Sequence, residues 1–215
     1  MLTKLKQKVQ QMLSAEAKAA HKIGLTPNSV TIIGFALAVL AALAYAVTTQ
    51  EQPLWLLAAV ILLMASGFCD ILDGVLARTY QQASVFGGFF DSLLDRYADA
   101  FVLAAIIVSG LCNLIAGLAA LASSLMVSYA RARAEAAGIK MESIGIAERP
   151  ERIIILAAAS IVAIFWLPAL NIGVIIIVVI ATFTVLQRGL HVYRSLRKKN
   201  QEKENKPNVR ITVGT

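Results

Sequence analysis

Hydrophobic residues occur in long runs along this chain, and charged residues are concentrated in short segments between the runs. Six runs are each close to the roughly 20 residues that a helix needs to cross about 30 Å of hydrocarbon. Because a chain in lipid must satisfy its own backbone hydrogen bonds, the pattern predicts an all-α integral membrane fold. We predict six membrane-spanning helices, near residues 31–49, 54–76, 86–109, 113–136, 151–167 and 170–192.

The N-terminal segment, residues 2–20, follows a different pattern. Lysines alternate there with apolar residues at helical spacing, which are Leu2, Leu5, Val9, Met12, Leu13 and Ala17. This pattern is typical of an amphipathic helix that lies on a membrane surface, although a solvated leader helix would show it too. The segment "GLTPN", residues 24–28, then interrupts the helix before the first span, since Gly and Pro are frequent at such breaks.

These patterns divide the chain into three parts. We predict an interfacial amphipathic helix over residues 1–22, a six-helix membrane domain over 23–194 and a charged cytoplasmic tail over 195–215. The tail is rich in Lys, Glu, Gln and Asn and contains few apolar residues. Because such a segment buries little apolar surface, we expect it to be disordered.

The charged residues are distributed unequally between the two ends of the predicted spans. Only 15% of the residues are charged, whereas soluble proteins have about a quarter. The loops near 50–53, 110–113 and 168–170 contain no Lys or Arg, so all 20 basic residues lie at the other end. The positive-inside rule therefore predicts a multi-pass protein of the cell (plasma) membrane with both termini on the cytoplasmic side. We expect no nucleic-acid partner.

Five aspartates lie close together inside this apolar chain. Asp70 and Asp73 are three residues apart at the end of the second predicted span, and Asp91, Asp95 and Asp99 follow at spacings of four in the third. Each spacing places its set on one helical face. Two antiparallel helices joined by a short loop would point both sets into one cavity. Carboxylates at membrane depth are costly unless they are paired, hydrated or bound to a cation.

The type of these side chains indicates a hard cation. Oxygen ligands without Cys or His suit Mg²⁺, Mn²⁺ or Ca²⁺ rather than zinc, and four carboxylates suit a two-metal site. Gly74 and Gly87 leave room beside the aspartates for a bulky anionic ligand. Two other interpretations stay open, which are a proton or cation pathway and an ion-pair network with Arg78 and Arg96 that only joins helices.

The same stretch resembles the signature of the CDP-alcohol phosphotransferase family. It reads "DILDGVLAR" over residues 70–78 and "GGFFDSLLD" over residues 87–95. Every fixed position of the family's pattern is present at the family's spacing, namely Asp70, Asp73, Gly74, Ala77, Arg78, Gly87, Asp91 and Asp95. The segment "LTPNSVT", residues 25–31, looks like the one that precedes the first span in that family. The resemblance covers most of the chain.

The resemblance implies an enzyme that moves an archaetidyl or phosphatidyl group from a CDP-linked lipid to an alcohol and releases CMP. It implies two divalent ions, Mg²⁺ or Mn²⁺, with Asp70, Asp73 and Asp91 as ligands. Asp95 would be both a ligand and the general base. The resemblance also implies a homodimer. The residues that it assigns to the CDP-lipid are Asn28, Ser29, Val30, Thr31, Gly74, Arg78 and Ser84.

Three arginines lie at predicted cytoplasmic helix ends: Arg131 in "SYARARAE", Arg152 in "GIAERPER" and Arg188 in "TVLQRGL". Arginines beside a metal site are typical of a pocket for an anionic group, and the alternative is side chains that reach out to lipid head groups. The segments resemble the inositol-phosphate branch of the family. This resemblance implies that inositol 1-phosphate is the acceptor and that the three arginines bind its phosphate.

We therefore expect transfer from CDP-archaeol or CDP-diacylglycerol to inositol 1-phosphate, a step of phospholipid biosynthesis. The alternatives are another branch of the family, such as a glycerol-phosphate transferase, and a cation transporter. For Asp99, outside the signature, we prefer a scaffolding role to one in orienting Arg96 or a metal-bound water. For Arg133 and Arg149 we expect local ion pairs with the glutamates nearby, Glu135, Glu148 and Glu151.

Overall fold

The structure is a computed structural model that describes residues 14–49, 52–141 and 144–204 of the chain. All regular secondary structure in this part of the chain is α-helical, as predicted. The helices are α1 (Ser14–Lys22), α2 (Pro27–Val47), α3 (Trp55–Thr79), α4 (Val85–Val108), α5 (Leu114–Ala136), α6 (Arg149–Ala163) and α7 (Pro168–Glu204).

Local side-chain hydrogen bonds determine where α2 and α4 begin. Thr26 and Ser29 form a reciprocal capping box at the start of α2. At the start of α4, the Ser84 hydroxyl accepts a hydrogen bond of 2.9 Å from the backbone N–H of Gly87. These caps satisfy N–H groups that have no partner inside the helix. Because only residues 80–84 separate α3 from α4, the two helices run antiparallel.

The six longer helices pack in a closed ring. In the order of their contacts the ring runs α2, α4, α5, α7, α6, α3 and back to α2, and α1 packs against α3 on its outside. The principal apolar core fills one end of this ring and includes the fully buried Tyr45, Leu56, Ile106 and Leu170. The Tyr45 hydroxyl is hydrogen-bonded to Ser160 Oγ at 2.7 Å, which joins α2 to α6 inside the core. The aspartates lie toward the other end.

Four of the helices are long and apolar enough to cross a membrane, by length and composition. They are α2, α3, α5 and, over residues 168–198, α7. Large apolar side chains project outward from all four, among them Leu43, Ile61, Ile115 and Val179. A water-soluble bundle would bury such side chains, whereas lipid solvates them. The structure is therefore that of a multi-pass membrane protein.

The helices α4 and α6 coincide with the third and fifth predicted spans but do not meet the same criterion. Helix α4 contains Asp91, Asp95, Arg96 and Asp99. Helix α6 has only 15 residues, so it is about 22 Å long and shorter than the hydrocarbon core. It ends before the predicted position because the chain turns there into α7 at Pro168. The count of six spans stays a prediction.

The described part of the N-terminal helix, α1, packs against the bundle. Ala17 and Ala20 are buried against Leu72 and Leu76 of α3. Most of the predicted amphipathic pattern falls on residues 1–13, which lie outside the described residues. The position of this segment on a membrane surface therefore stays a prediction.

The C-terminal segment departs from the expected disorder in its first part. Helix α7 continues to Glu204, so residues 195–204 are helical. Lys, Arg, Gln and Glu are good helix formers, and they extend a helix that already exists, so no new nucleation is needed. Residues 205–215 of the predicted tail lie outside the described residues.

Gly173 allows α6 and α7 to touch, and its substitution by alanine should destabilise the protein. A Cβ atom at Gly173 would lie 2.4 Å from the Cβ of Ala159. We expect Gly173→Ala to lower the free energy of unfolding by about 1–3 kcal/mol, because the two helices must separate to make room. The midpoint of thermal unfolding in detergent measures this change.

Gly189→Ala is the matched control for that experiment, because Gly189 lies in the same helix. An added Cβ there would meet no described atom within 4 Å, so we expect equal or slightly higher stability, since Ala favours helix over Gly. Equal unfolding temperatures for the two variants would show that the close contact is not present.

Candidate active site

The aspartates converge between α3 and α4. Asp70 and Asp73 lie in the last part of α3, and Asp91, Asp95 and Asp99 lie on the antiparallel α4. One carboxylate oxygen from each of Asp70, Asp91 and Asp95 lies within 4.8 Å of the other two. The helical spacing therefore predicted this convergence correctly, and the roles of the aspartates as metal ligands stay predictions.

Asp73 lies deeper than these three carboxylates. It is buried, and its Oδ2 accepts a hydrogen bond of 2.6 Å from Thr31 Oγ1. Asp73 and Thr31 both line a small cavity with Asp70, Asp91 and Asp95. The hydroxyl of Thr31, a residue that the family resemblance assigns to the CDP-lipid, thus holds an aspartate in position in this structure.

For Arg149, the predicted ion pair with a neighbouring glutamate is wrong. Its Nη1 lies 2.7 Å from Asp95 Oδ1 and 3.1 Å from Asp70 Oδ1, and its Nε lies 3.4 Å from Asp99 Oδ1. The expected local pair with a glutamate is therefore replaced by contacts with three aspartates of other helices. The reason is tertiary, since α6 begins at Arg149 and packs against α3.

A signal for this placement was present in the sequence. Arg149 and Arg152 are three residues apart at the start of one helix, so they share a face. If Arg152 points toward the aspartates, as we expected, Arg149 must do so as well.

Asp99 joins the two arginines of α6. Its Oδ2 accepts a hydrogen bond of 2.6 Å from Arg152 Nη2, and its Oδ1 contacts Arg149. These contacts agree with the expected scaffolding role. A carboxylate–arginine network is therefore present, but its ion pairs involve Arg149 and Arg152 rather than the predicted Arg78 and Arg96. Arg96 donates to a carbonyl of its own helix, and the Arg78 guanidinium lies beside Gly74.

The charges around the aspartates are not balanced within the described residues. Five carboxyl groups lie in this region, and the ion pairs described for them come from two guanidinium groups, those of Arg149 and Arg152. In the described part of the chain, the buried Asp91 Oδ1 has no hydrogen-bond partner. Burying a carboxylate oxygen without such a partner is costly. The site therefore suits a further cation, and an all-oxygen donor set fits a hard divalent ion.

The three predicted acceptor arginines come together beside the aspartates. Arg131, Arg152 and Arg188 line one cavity of about 380 Å³, and Asp91 and Asp95 line the same cavity. The structure thus places the predicted phosphate-binding side chains and the predicted general base around a single space.

The three arginines differ in their exposure and in how many hydrogen bonds each makes to the protein itself. Arg188 is only 2% exposed and donates hydrogen bonds to the carbonyls of Val127 and Ile144. Arg152 is also buried and donates to the Ala147 carbonyl and to Asp99. Arg131 has 42% of its side chain exposed and pairs with Glu135 at 3.0 Å and Glu148 at 3.8 Å, so its guanidinium is the most available of the three.

The segment before α6 is held in place by α7. Thr184 Oγ1 accepts a hydrogen bond from the backbone N–H of Ala147, and Arg188 Nε donates to the Ile144 carbonyl. Gly145 has a φ of +120°, and an added Cβ would lie 2.4 Å from Thr184 Cγ2. Only glycine combines this backbone conformation with so close an approach. These contacts determine where α6 starts and hence where its arginines point.

The residues assigned to the CDP-lipid lie in two groups. An added Cβ at Gly87 would lie 3.0 Å from Ser84 Oγ and 3.1 Å from Asn28 Oδ1, so the starts of α2 and α4 meet there. Arg78 lies over Gly74 on α3, within 3.3 Å of the position that a Cβ would take.

Two further residues of that set serve the local structure. The Ser29 hydroxyl donates to the Thr26 carbonyl within the capping box. Val30 is buried against Leu72 and Leu76. Any role of these residues toward a lipid stays a prediction.

Comparison with curated proteins finds relatives over most of the chain. An archaetidylinositol phosphate synthase of Pyrococcus horikoshii is 43% identical over 87% of this chain and 94% of its own. One of Methanothermobacter thermautotrophicus is 41% identical over 83% of this chain and 88% of its own. A phosphatidylinositol phosphate synthase of Mycolicibacterium smegmatis is 37% identical over 83% of this chain and 82% of its own.

Solved structures of a Mycobacterium tuberculosis phosphatidylinositol phosphate synthase have a similar fold. The crystal structure with CDP-DAG bound matches with a TM-score of 0.73 at 31% identity, over 85% of this chain and 94% of that one. The structure in complex with manganese and citrate matches with a TM-score of 0.71 at 32% identity, over 84% of this chain and 88% of that one.

The family model that describes CDP-alcohol phosphatidyltransferases matches residues 24–186. This range includes the converging aspartates and two of the three arginines, Arg131 and Arg152. The match favours the enzyme interpretation of the acidic cluster over a cation transporter or a purely structural network. With the relatives above, it shows that this chain belongs to the CDP-alcohol phosphatidyltransferase family.

Proposed function

We propose that this protein transfers an archaetidyl or phosphatidyl group from a CDP-linked lipid to inositol 1-phosphate and releases CMP. The named activities of its relatives, archaetidylinositol phosphate and phosphatidylinositol phosphate synthesis, support this reaction. The observation that carries the proposal is the single cavity lined both by Asp91 and Asp95 and by Arg131, Arg152 and Arg188.

The cavity has the size and the charge distribution that a phosphorylated alcohol needs. Its volume of about 380 Å³ lies within the range of about 300–1,000 Å³ that is usual for small-molecule pockets. Guanidinium groups form strong, directional hydrogen bonds with phosphate. If the three arginines bind the acceptor's phosphate, a hydroxyl of the inositol ring can face the carboxylates on the other side of the same space.

We infer that Asp70, Asp73, Asp91 and Asp95 hold two divalent ions, Mg²⁺ or Mn²⁺. When bound, such ions would offset the charge of the pyrophosphate and stabilise the departing CMP. The Asp91 Oδ1 without a hydrogen-bond partner supports a cation at this place. The similar M. tuberculosis enzyme was solved in complex with manganese and citrate, which supports Mn²⁺ as a candidate ion.

The chain's own groups have separate tasks in this proposal. Asp95 accepts the proton of the attacking hydroxyl, for which it must lie within hydrogen-bond reach of the acceptor. Gly74, Arg78 and Ser84 contact the CDP part of the lipid. The outer edge of that site is formed by Asn28, Ser29, Val30 and Thr31.

The proposed setting is the plasma membrane, with the active site and both termini on the cytoplasmic side and a homodimer as the assembly. The distribution of Lys and Arg supports this orientation. A CDP-lipid would then enter from the inner leaflet and inositol 1-phosphate from the cytosol.

Release of CMP with different acceptors tests the proposed reaction. We expect the purified protein, supplied with CDP-archaeol or CDP-diacylglycerol and Mg²⁺ or Mn²⁺, to release CMP with inositol 1-phosphate. Free inositol should be at least about tenfold less effective, because the missing phosphate leaves the arginines unpaired. Excess EDTA provides the blank. A preference for glycerol 3-phosphate would move the protein to another branch of the family.

The substitutions Asp70→Asn and Asp95→Asn separate the roles of ligand and base. Both should abolish CMP release. Asp70→Asn should also weaken Mn²⁺ binding, since it removes a carboxylate from the cluster. Asp95→Asn should retain more of the binding of the CDP-lipid, because the remaining carboxylates still hold a metal. Near-normal CMP release by Asp95→Asn would rule out its role as general base.

Arg131→Ala tests the acceptor site with the least disturbance of the fold, because Arg131 is half-exposed whereas Arg152 and Arg188 are buried. Losing a hydrogen bond between charged groups costs roughly 1.5–3 kcal/mol. We therefore expect KM for inositol 1-phosphate to rise at least about tenfold, with KM for the CDP-lipid nearly unchanged. Arg133→Ala, an exposed arginine of the same helix, is the control. Equal acceptor kinetics in the two variants would contradict the phosphate site.

A further inference from the structure

The guanidinium of Arg149 lies between the carboxylates that are proposed to bind metal. Its Nη1 is within 2.7 Å of Asp95 Oδ1 and 3.1 Å of Asp70 Oδ1. Both aspartates belong to the group of three whose oxygens lie within 4.8 Å of each other. This nitrogen is buried, and its N–H groups form no aligned hydrogen bond within the described residues. The contact is therefore an ionic one, in which Nη1 acts as a positive charge between two oxygens.

A divalent ion and this nitrogen would share the carboxylate groups of Asp70 and Asp95. A hard divalent ion binds carboxylate oxygens at about 2.0–2.6 Å, and Nη1 already lies at contact distance of one oxygen of each group. Two cations this close to the same carboxylates repel each other. Binding of the ion therefore favours movement of the Arg149 guanidinium away from them.

The surroundings of Arg149 offer one destination for the displaced group. Arg149 lines two cavities. One is the small cavity beside Asp70 and Asp73, and the other is the cavity of about 380 Å³ that Arg131 and Arg152 also line. Its Nε contacts Asp99, which lines that larger cavity too. A rotation about the side-chain bonds would take the guanidinium from one space to the other, with Asp99 as its neighbour in both.

We propose that Arg149 is an internal counter-cation that neutralises the aspartates in the metal-free protein. A divalent ion displaces it into the cavity of about 380 Å³ that Arg131, Arg152 and Arg188 line, called here the acceptor cavity. There it adds a fourth guanidinium to those of Arg131, Arg152 and Arg188, a step that rests on the proposed function. Binding of metal and binding of the acceptor phosphate then favour each other, and by thermodynamic linkage the coupling is reciprocal.

The displacement is tested first with Mn²⁺ alone, by calorimetry or by the EPR signal of free Mn²⁺, on the full chain in detergent. We expect Arg149→Gln to bind Mn²⁺ at least about tenfold more tightly than wild type, because the ion no longer displaces a cation. Arg152→Gln is the matched control, since Arg152 lies on the same helix face and its ion pair is with Asp99. It should change the affinity less. Unchanged or weaker Mn²⁺ binding by Arg149→Gln would overturn the proposal.

Thermal unfolding gives a second measure of the same competition. In EDTA, Arg149→Gln should unfold at a lower temperature than wild type, because its carboxylates lack a counter-charge. Saturating Mn²⁺ should raise its unfolding temperature more than that of wild type, following the tighter binding. If Arg149→Gln does not fold, Arg149→Lys replaces it in both measurements. The lysine side chain is shorter, and its ammonium contacts fewer of the three aspartates. The Arg149→Lys protein should therefore bind Mn²⁺ more tightly than wild type, and an equal affinity would contradict the proposal.

The destination of Arg149 is tested with inositol 1-phosphate. Saturating Mn²⁺ should increase the affinity of wild type for this ligand, and the increase should be several-fold smaller in Arg149→Gln. An equal increase in both proteins would refute the move into the acceptor cavity. If wild type with Mn²⁺ and CDP-lipid binds no inositol 1-phosphate, the proposed function fails, whereas the Mn²⁺ measurements still decide whether Arg149 is displaced.

Discussion

The structure depends on how five carboxyl groups are accommodated in an apolar bundle. Carboxylates are costly in such surroundings unless a cation accompanies them. In this protein the cations come from across the bundle, because Arg149 and Arg152 at the start of α6 contact Asp70, Asp95 and Asp99 on α3 and α4. These ion pairs join α6 to α3 and α4 around the site. The same contacts therefore offset the charge of the aspartates and hold the three helices together there.

The remainder of the ring supports this arrangement. The apolar core closes one end of the bundle, with Tyr45 bonded to Ser160 between α2 and α6. At the other end α7 holds the segment before α6 through Thr184 and Arg188. A residue that lines the acceptor cavity, Arg188, is therefore also a structural residue. A site built on such rigid contacts positions its groups accurately, but substitutions in it combine effects on stability and on binding.

The concentration of arginines near the carboxylates also affects how substrates approach. Positive side chains that line a cavity raise the local concentration of anionic ligands, and both proposed substrates carry phosphate groups. The carboxylates that line the same cavity would repel those phosphates without a cation beside them. The proposed metal ions and the guanidinium of Arg149 meet the same electrostatic need in different states of the protein, which is why they are alternatives at one place.

Local patterns in the sequence determined the helical class, the approximate position of each apolar helix and the convergence of Asp70, Asp91 and Asp95, because periodicity and backbone hydrogen bonding are local. The spacing of Arg149 and Arg152 places both on one face of α6, but tertiary structure decided which carboxylates that face meets, since they belong to α3 and α4. It likewise decided that Thr31 bonds Asp73, a contact between residues of two different helices. The continuation of α7 through residues 195–204 depends on both local sequence and its surroundings. These residues favour a helix, but they form one here because they extend a helix that already exists.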